Sequence, residues 1–316
     1  MKRFIFFACI LLSLAAALSA GGRRETKNTE DRINVVTTIF APYDFVREIA
    51  GDRVNLTMLL PPGAESHSFE PTPRDIITVQ NSDVFIYVGG ESDAWVERIL
   101  DSFDTSRLDI ITLMDCVDVV EEEIVEGMED EEEDDSEEEE AEYDEHVWTS
   151  PRNAQLIVRK IADVLKARDA PNAAAYEKNT AAYIAKLTEL DASFQKVVAG
   201  AKRKIFIFGD RFPFRYFADA YGLSYYAAFP GCSTETECSA ATVAFLINKV
   251  RSDKIPVIFH IELSNEKIAD AICEETGAKK MLLHAVHNVS KRDFEGGAGY
   301  YGLMSQNVKN LREALQ

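Results

Sequence analysis

Short apolar runs alternate along the chain with segments whose apolar residues recur at helical spacing. In the first half, four runs have the length and composition of buried strands, at residues 33–40, 54–62, 84–90 and 108–115. The segments between them, such as YDFVREIAGD and TPRDIITVQNSD, carry apolar residues every three or four positions, as amphipathic helices do. Alternation of strand and helix is typical of a parallel sheet covered by helices. We therefore predict an N-terminal α/β lobe over residues 33–158.

The second half of the chain repeats this alternation. Four further runs predict strands at residues 203–210, 223–229, 256–264 and 279–286. This pattern predicts a C-terminal α/β lobe over residues 203–316.

A segment between the two halves, residues 171–199, shows no strand pattern. Its apolar residues recur every three or four positions up to Gly200, which predicts one long amphipathic helix. The predicted fold is therefore α/β, with two parallel-sheet lobes joined by a single long central helix. Ligands of such sheets bind beyond the carboxyl ends of the strands, so we expect a site in the cleft between the lobes.

The N-terminus has the pattern of a secretory signal peptide. Lys2 and Arg3 precede an apolar run at residues 4–18, and small residues follow. We predict a signal peptide over residues 1–20, cleaved near Ala20, and a periplasmic or otherwise extracytoplasmic protein. The run is short for a membrane span, although an uncleaved anchor is the alternative.

One segment carries almost all of the net charge. The formal charge is −20, and residues 121–145 contain 18 Asp and Glu and no Lys or Arg, which leaves −2 for the rest of the chain. So dense a block of like charge repels itself, and we predict that it is disordered. It should attract cations weakly, and its deletion over residues 121–143 should leave a tight site intact. We find no basic patch that would indicate a nucleic-acid partner.

Four cysteines follow the predicted signal peptide, at positions 116, 232, 238 and 273. An exported protein can form disulfides, but the spacing leaves the pairing open. No CxxC pair is present, so we do not expect zinc binding through cysteine.

A helix start is predicted after the acidic segment. Ser150 followed by Pro151 predicts it, with the serine hydroxyl as the cap.

The chain has only five histidines, and four of them lie in predicted loops or at strand ends. His67 follows the second strand, His146 ends the acidic segment, and His284 and His287 follow the last strand. His260 lies inside a strand, where we expect sheet packing. Imidazoles from both lobes would form a metal site that favours zinc, whereas more carboxylates would favour manganese. The alternative for each loop histidine is a solvated side chain with no ligand.

Two of these histidines lie in stretches with a familiar pattern. LPPGAESHSFEPTPRD (60–75) resembles the segment that carries the first metal-binding histidine in the cluster A-I solute-binding proteins of zinc and manganese ABC transporters. DEHVWTSPRNA (144–154) resembles the Asp-x-His-x-Trp segment of that family, which carries the second. The acidic insert also fits, because zinc-specific members often have a His- or acid-rich loop there. Further similar segments follow in family order, at residues 214–223, 227–251, 261–279 and 299–315.

This resemblance implies two α/β lobes bridged by a long helix, in agreement with the pattern above. It implies a protein that is not an enzyme, captures a divalent metal outside the cytoplasm and delivers it to an ABC transporter permease. The expected metal is Zn²⁺, with Mn²⁺ as the alternative. We expect a monomer.

The resemblance also implies a ligand set, with one departure. The family places its third ligand five residues before a tyrosine that corresponds to Tyr216, and Arg211 occupies that slot. Arginine cannot bind a cation, so the adjacent Asp210 is held in reserve. The fourth ligand falls on His284 or His287, and both together would replace the lost third.

We therefore expect a metal site composed of four histidines, His67, His146, His284 and His287. Carboxylates flank the first two of these and are candidates to orient the imidazole rings, at Glu65, Asp144 and Glu145. Glu262 is a candidate for a supporting carboxylate or a further ligand.

Other functions stay open at this point. A secreted zinc-dependent metalloenzyme would need a general base, for which Glu262 or Asp210 is available. Against it, the chain has no HExxH motif, P-loop or nucleophile elbow. The remaining alternatives are a manganese-specific member of the same family and a surface adhesin in which a metal is only structural.

Overall fold

The computed structural model describes residues 32–65, 69–128, 142–233 and 238–316. The predicted signal peptide and its cleavage site, His67 and acidic residues 129–141 lie outside these ranges. Residues 33–316 form one compact unit, so the predicted division into lobes at residues 33–158 and 203–316 stays a prediction.

Among the described residues, eight strands form two parallel four-stranded sheets with the same strand order. The N-terminal sheet has the order β2-β1-β3-β4, and its strands are β1 (Asn34–Thr37), β2 (Asn55–Met58), β3 (Val84–Tyr87) and β4 (Asp109–Thr112). The C-terminal sheet has the order β6-β5-β7-β8, and its strands are β5 (Ile205–Phe208), β6 (Ser224–Tyr226), β7 (Val257–His260) and β8 (Lys279–Leu282). Each strand falls within a predicted run, and the predicted fold class is confirmed.

In the part of the chain that the structure describes, ten α-helices cover these sheets and connect them. They are α1 (Phe40–Ala50), α2 (Pro73–Gln80), α3 (Ala94–Leu100), α4 (Pro151–Arg168), α5 (Ala173–Ala199), α6 (Arg215–Tyr221), α7 (Ala240–Asp253), α8 (Lys267–Thr276), α9 (Lys291–Glu295) and α10 (Tyr300–Ala314). Short 3₁₀ turns lie at Glu91–Asp93, Met114–Cys116, Val147–Thr149 and Ala170–Asn172. Within the described part of the chain, no helix has both the length and the apolarity to cross a membrane.

Strands β3 and β5, in the middle of their sheets, are apolar throughout because helices cover both faces of each sheet. In β3, Val84, Phe85 and Ile86 are all fully buried although they alternate between the two faces. Continuous apolar runs are what such parallel sheets require, and this requirement explains why the pattern predicts the strands well.

The central helix α5 packs against elements of both halves of the chain. It contacts α1 and α4 in the first half and α10 in the second. The ring of Tyr183 lies 6.3 Å from that of Phe45 in α1, and Phe194 lies 4.8 Å from Phe217 in α6, with an edge-to-face arrangement. One rigid element thus supports both sheets, as predicted, beginning two residues later than expected.

Two local expectations differ from the structure. Ser150 is the N-cap of α4 and Pro151 its first residue, but the serine side chain makes no capping hydrogen bond.

The ends of the acidic segment are also more ordered than predicted. Glu122 N donates to Glu142 O and Asp144 N to Val120 O, and these bonds form a short antiparallel stem at residues 120–128 and 142–145. Backbone pairing and contacts with the second half of the chain offset the repulsion there.

Candidate metal centre

His146 stands at the end of the acidic stem, immediately before the 3₁₀ turn that leads into α4. Its side chain is fully buried, and so is that of Asp144. Asp144 Oδ1 accepts a hydrogen bond from the His146 backbone N–H at 2.8 Å and lies 3.1 Å from Nδ1 of the ring. This carboxylate favours the tautomer with a proton on Nδ1, which directs the lone pair of the ring to Nε2. Asp144 therefore has the orienting role expected of it.

Carboxylates near His146 counteract the effect of burial on its pKa. Desolvation lowers the pKa of the imidazole, but the Asp144 carboxylate, followed by those of Glu145 and Glu122, outweighs it, so the pKa is raised above its usual value. Negative charge close to a buried imidazole stabilises any cation there, whether a proton or a metal ion.

His287 brings a second imidazole from the other half of the chain. Its ring lies edge-on to that of His146, with centroids 4.7 Å apart, and it also packs at 4.7 Å against Trp148. Trp148 is held in turn because its Nε1–H donates to the carbonyl of Ala285 at 2.8 Å. His287 also lines two adjoining cavities, one towards Thr38 and Asp93 and the other towards Arg211 and Glu262.

His284 has different surroundings from His287, although it lies only three residues away. Its Nδ1 accepts a hydrogen bond from the Val286 N–H at 3.0 Å. Its backbone N–H and carbonyl both bond to the amide of Asn307. His260, which we expected to pack in the sheet, ends β7, and its Nδ1 lies 3.0 Å from the carbonyl oxygen of Ile261. Among the four expected ligands, the structure brings His146 and His287 together, while His67 lies outside the described residues.

The carboxylates held in reserve as ligands bind backbone instead. Asp210 accepts the N–H groups of Arg211 and Ile261. Glu262 accepts those of Ala285 at 2.6 Å and His287 at 2.9 Å. Both side chains therefore fix the loops that surround the cleft.

Arg211, in the slot of the missing family ligand, pairs with Glu65. Its Nη1 lies 2.9 Å from Glu65 Oε1, and the two residues line the same cavity as His287. Since Glu65 comes from the N-terminal half and Arg211 follows β5, this ion pair spans the cleft. It gives Glu65 a cationic partner, and because His67 lies outside the described residues, an orienting role of Glu65 towards the His67 ring stays a prediction.

Sequence reasoning missed two residues that contact the site from the side. Glu122 Oε1 accepts the backbone N–H of Cys232 at 3.0 Å and so ties the acidic stem to the neighbouring Gly231. A Cβ at Gly231 would lie 2.8 Å from the carbonyl oxygen of Phe212 and 3.2 Å from Cε1 of His146. The Pro-Gly-Cys sequence was the only available signal. Because Glu122 lies within residues 121–143, deletion of that range would also remove this contact with Cys232, and the survival of a tight site in that deletion stays a prediction.

A buried acidic group closes the N-terminal side of the cleft. Asp93 Oδ2 accepts the N–H groups of Val88 at 2.7 Å and Gly89 at 3.3 Å, and burial raises the pKa of Asp93 to about 7. Glu145 Oε1 accepts the N–H of Ser92 at 2.8 Å, so Glu145 supports this turn rather than an imidazole ring.

The described residues do not by themselves form a complete set of metal ligands. Over residues 32–65, 69–128, 142–233 and 238–316, no group of three or more His, Cys, Asp and Glu side chains has the arrangement of metal ligands. Cys116, Cys232 and Cys273 are free thiols, and they supply no such group. The candidate ligands that the described residues bring together are His146 and His287, with the carboxylate of Asp144 bonded to the ring of His146.

The chain is similar to several known proteins whose names refer to zinc uptake or zinc binding. A family model described as "Zinc-uptake complex component A periplasmic" (ZnuA) matches residues 35–314. The high-affinity zinc uptake system protein ZnuA of Bacillus subtilis (strain 168) is 34% identical over 315 residues, which are 99% of this chain and 96% of that protein. The zinc-binding lipoprotein AdcA of Streptococcus pneumoniae (strain ATCC BAA-255 / R6) is 32% identical over 307 residues, 96% of this chain but only 60% of AdcA. The crystal structure of the Zn(II)-bound ZnuA-like domain of Streptococcus pneumoniae AdcA aligns with a TM-score of 0.73 at 30% identity, covering 90% of this chain and 99% of that one.

Proposed function

Because this chain belongs to the ZnuA family of periplasmic zinc-uptake components, we propose that it captures a divalent metal ion outside the cytoplasm and delivers it to an ABC transporter permease. The metal is zinc in preference to manganese, and it is the cargo of the protein rather than a resident cofactor. The family resemblance expected from the sequence is confirmed. A family of transport components does not support the metalloenzyme alternative.

The observation that carries the proposal is the edge-on contact of His146 and His287 at 4.7 Å, from opposite halves of the chain. Neutral imidazole is a preferred ligand of zinc, and a carboxylate bonded to the second ring nitrogen increases its basicity. Asp144 is placed to do this for His146. His67 is proposed as a third ligand from its place in the sequence.

The supporting contacts favour a site that persists without metal. The loop with His287 is tied to the first half of the chain, because Phe40 N donates to His287 O and Asn288 Nδ2 to the carbonyls of Pro61 and Ala64. These bonds do not need a metal ion. A carrier must stay folded when empty, so this arrangement fits a transport protein better than an adhesin with a structural metal.

The test is a competition titration of zinc and manganese against a chromophoric chelator, with the metal-stripped protein and its His146→Ala and His260→Ala variants. We expect zinc to bind far more tightly than manganese and to be weakened by His146→Ala. His260→Ala is the matched control, because its ring bonds within its own loop. Equal zinc affinity in all three proteins would contradict the proposed site, and tighter manganese binding would contradict the proposed cargo.

A further inference from the structure

The loop that joins His284 to His287 contains a strained residue. Val286 has φ of 62°, in the left-handed region that β-branched residues rarely adopt. Its side chain is fully buried in the main core, so the strain is maintained by packing and by the contacts of its neighbours. A turn of this kind changes the direction of the chain sharply, and the side chain that follows it is that of His287.

Both ends of the strained turn are fixed. On the near side, Asn307 bonds to the N–H and the carbonyl of His284. On the far side, His287 O accepts from Phe40 N, and Val289 O accepts from Gly63 N. The backbone therefore has little freedom to relax outside the turn, and whatever stabilises the turn also determines the direction of the His287 ring.

Two side chains hold the turn from within. Glu262 accepts the N–H groups on either side of Val286, from Ala285 and His287. The N–H of Val286 itself donates to His284 Nδ1 at 3.0 Å. The same nitrogen lies 3.3 Å from Glu262 Oε2. We assign Nδ1 as an acceptor, because the backbone N–H of Val286 can only donate.

We propose that His284 is a positioning residue and not a metal ligand. Its Nδ1 stabilises the left-handed turn at Val286, and this turn aims the imidazole of His287 at that of His146. The inference rests on the proposed function, because it assigns roles within the same zinc site. It separates two histidines that the sequence leaves equivalent, one that binds the metal and one that shapes the loop.

Two substitutions at position 284 separate the roles of the two ring nitrogens. In His284→Asn, Oδ1 takes the position of Nδ1 and can accept the Val286 N–H, while nothing replaces Nε2. In His284→Ala, both are lost. We expect zinc affinity within about threefold of the parent for His284→Asn, and a loss of about 10–100-fold for His284→Ala, the range for groups that orient ligands.

A second pair of variants tests the strain itself. Glycine adopts a φ of 62° readily, so in Val286→Gly the turn depends less on the hydrogen bond to His284 Nδ1. The loss from His284→Ala should fall to less than about threefold in the Val286→Gly background, which a double-mutant cycle measures. Val286→Gly and the double variant Val286→Gly/His284→Ala both lack the valine side chain. Any effect of that cavity on zinc affinity therefore cancels when the two are compared. Thermal melting of each metal-free protein identifies any variant that fails to fold.

The outcomes of this experiment are distinct from those that test the function. The parent protein and His287→Ala, titrated alongside, report whether zinc binds and whether His287 binds it. If the parent binds zinc but His284→Asn is as weak as His284→Ala, the assignment of His284 is overturned, because Nε2 is then needed. It is also overturned if His284→Ala binds as the parent does, or if the Val286→Gly background leaves the loss unchanged.

Discussion

Replacement of the buried Asp93 by asparagine should stabilise the metal-free protein, and the gain should grow with pH. Asp93 lies at the turn after β3, where its carboxylate accepts two backbone N–H groups. Burial raises its pKa from 3.8 to about 7, those hydrogen bonds oppose the rise, and the charge of Glu145 adds to it. An asparagine Oδ1 can accept the same bonds without a charge.

The magnitude follows from this pKa difference. Since the folded state holds the proton more tightly than the unfolded state, the contribution of Asp93 to stability falls as pH rises from about 4 to about 7, then stays level. Each unit of difference corresponds to ~1.4 kcal/mol, so the full decrease is ~4 kcal/mol. Between about pH 5 and about pH 8, the free energy of unfolding of Asp93→Asn should rise relative to the parent by ~3 kcal/mol.

The assay is urea denaturation of both metal-free proteins at the two pH values, followed by circular dichroism. The difference between variant and parent isolates Asp93, because the other titrating groups are common to both. Asp101→Asn, on an exposed side chain at the end of α3, is the matched control and should show no comparable trend. The reasoning would be refuted if the free energy of unfolding of Asp93→Asn differed from that of the parent by the same amount at both pH values.

Three further predictions concern the metal site. Deletion of residues 129–141, which keeps the stem with Glu122, should slow zinc association at low ionic strength through loss of attracting charge, with the dissociation rate unchanged by stopped-flow measurement; faster dissociation would contradict this. Asp144→Asn should weaken zinc binding about 10–100-fold, since the carboxylate orients His146. Because Asp144 raises the pKa of His146, zinc binding by the parent should fall off at a higher pH than in Asp144→Asn, and titrations across pH would expose an error in this sign. Gly231→Ala should reduce zinc affinity, because its Cβ would lie 2.8 Å from the carbonyl oxygen of Phe212 and 3.2 Å from the His146 ring. Gly302→Ala, whose Cβ would have nothing within 4 Å, is the control. Equal zinc affinities of the two variants would show that the loop at Gly231 moves to accommodate the methyl group.

The two described ends of the acidic segment contact the rest of the protein. The sequence treats residues 121–145 as one block because charge is their common feature. In the structure, Tyr216 OH donates to Asp144 O at 2.7 Å, and Glu122 binds the backbone of Cys232. Contacts 70 to 110 residues distant in sequence therefore decide that the ends of the block belong to the site. Local charge density carries no information about such contacts.

The alternation of apolar runs and helical spacing determined the fold. Parallel strands buried on both faces, such as β3, must be apolar at every position, and α5 must present one apolar face along its length. These are local requirements that a sequence displays directly. Family motifs around His67 and His146 added the kind of cargo, because the ligand type and the order of the segments survive in sequence.

Only the tertiary structure decided which role each of several neighbouring polar residues has. His284 and His287 look equivalent in sequence, yet one accepts a backbone N–H and the other faces His146. Asp144, Glu145 and Glu65 all flank histidines, yet Asp144 bonds to an imidazole, Glu145 accepts the N–H of Ser92 and Glu65 pairs with Arg211. Hydrogen bonds depend on direction over about 3 Å. Direction at that scale is set by turns such as the strained one at Val286, which only the packing of distant segments maintains.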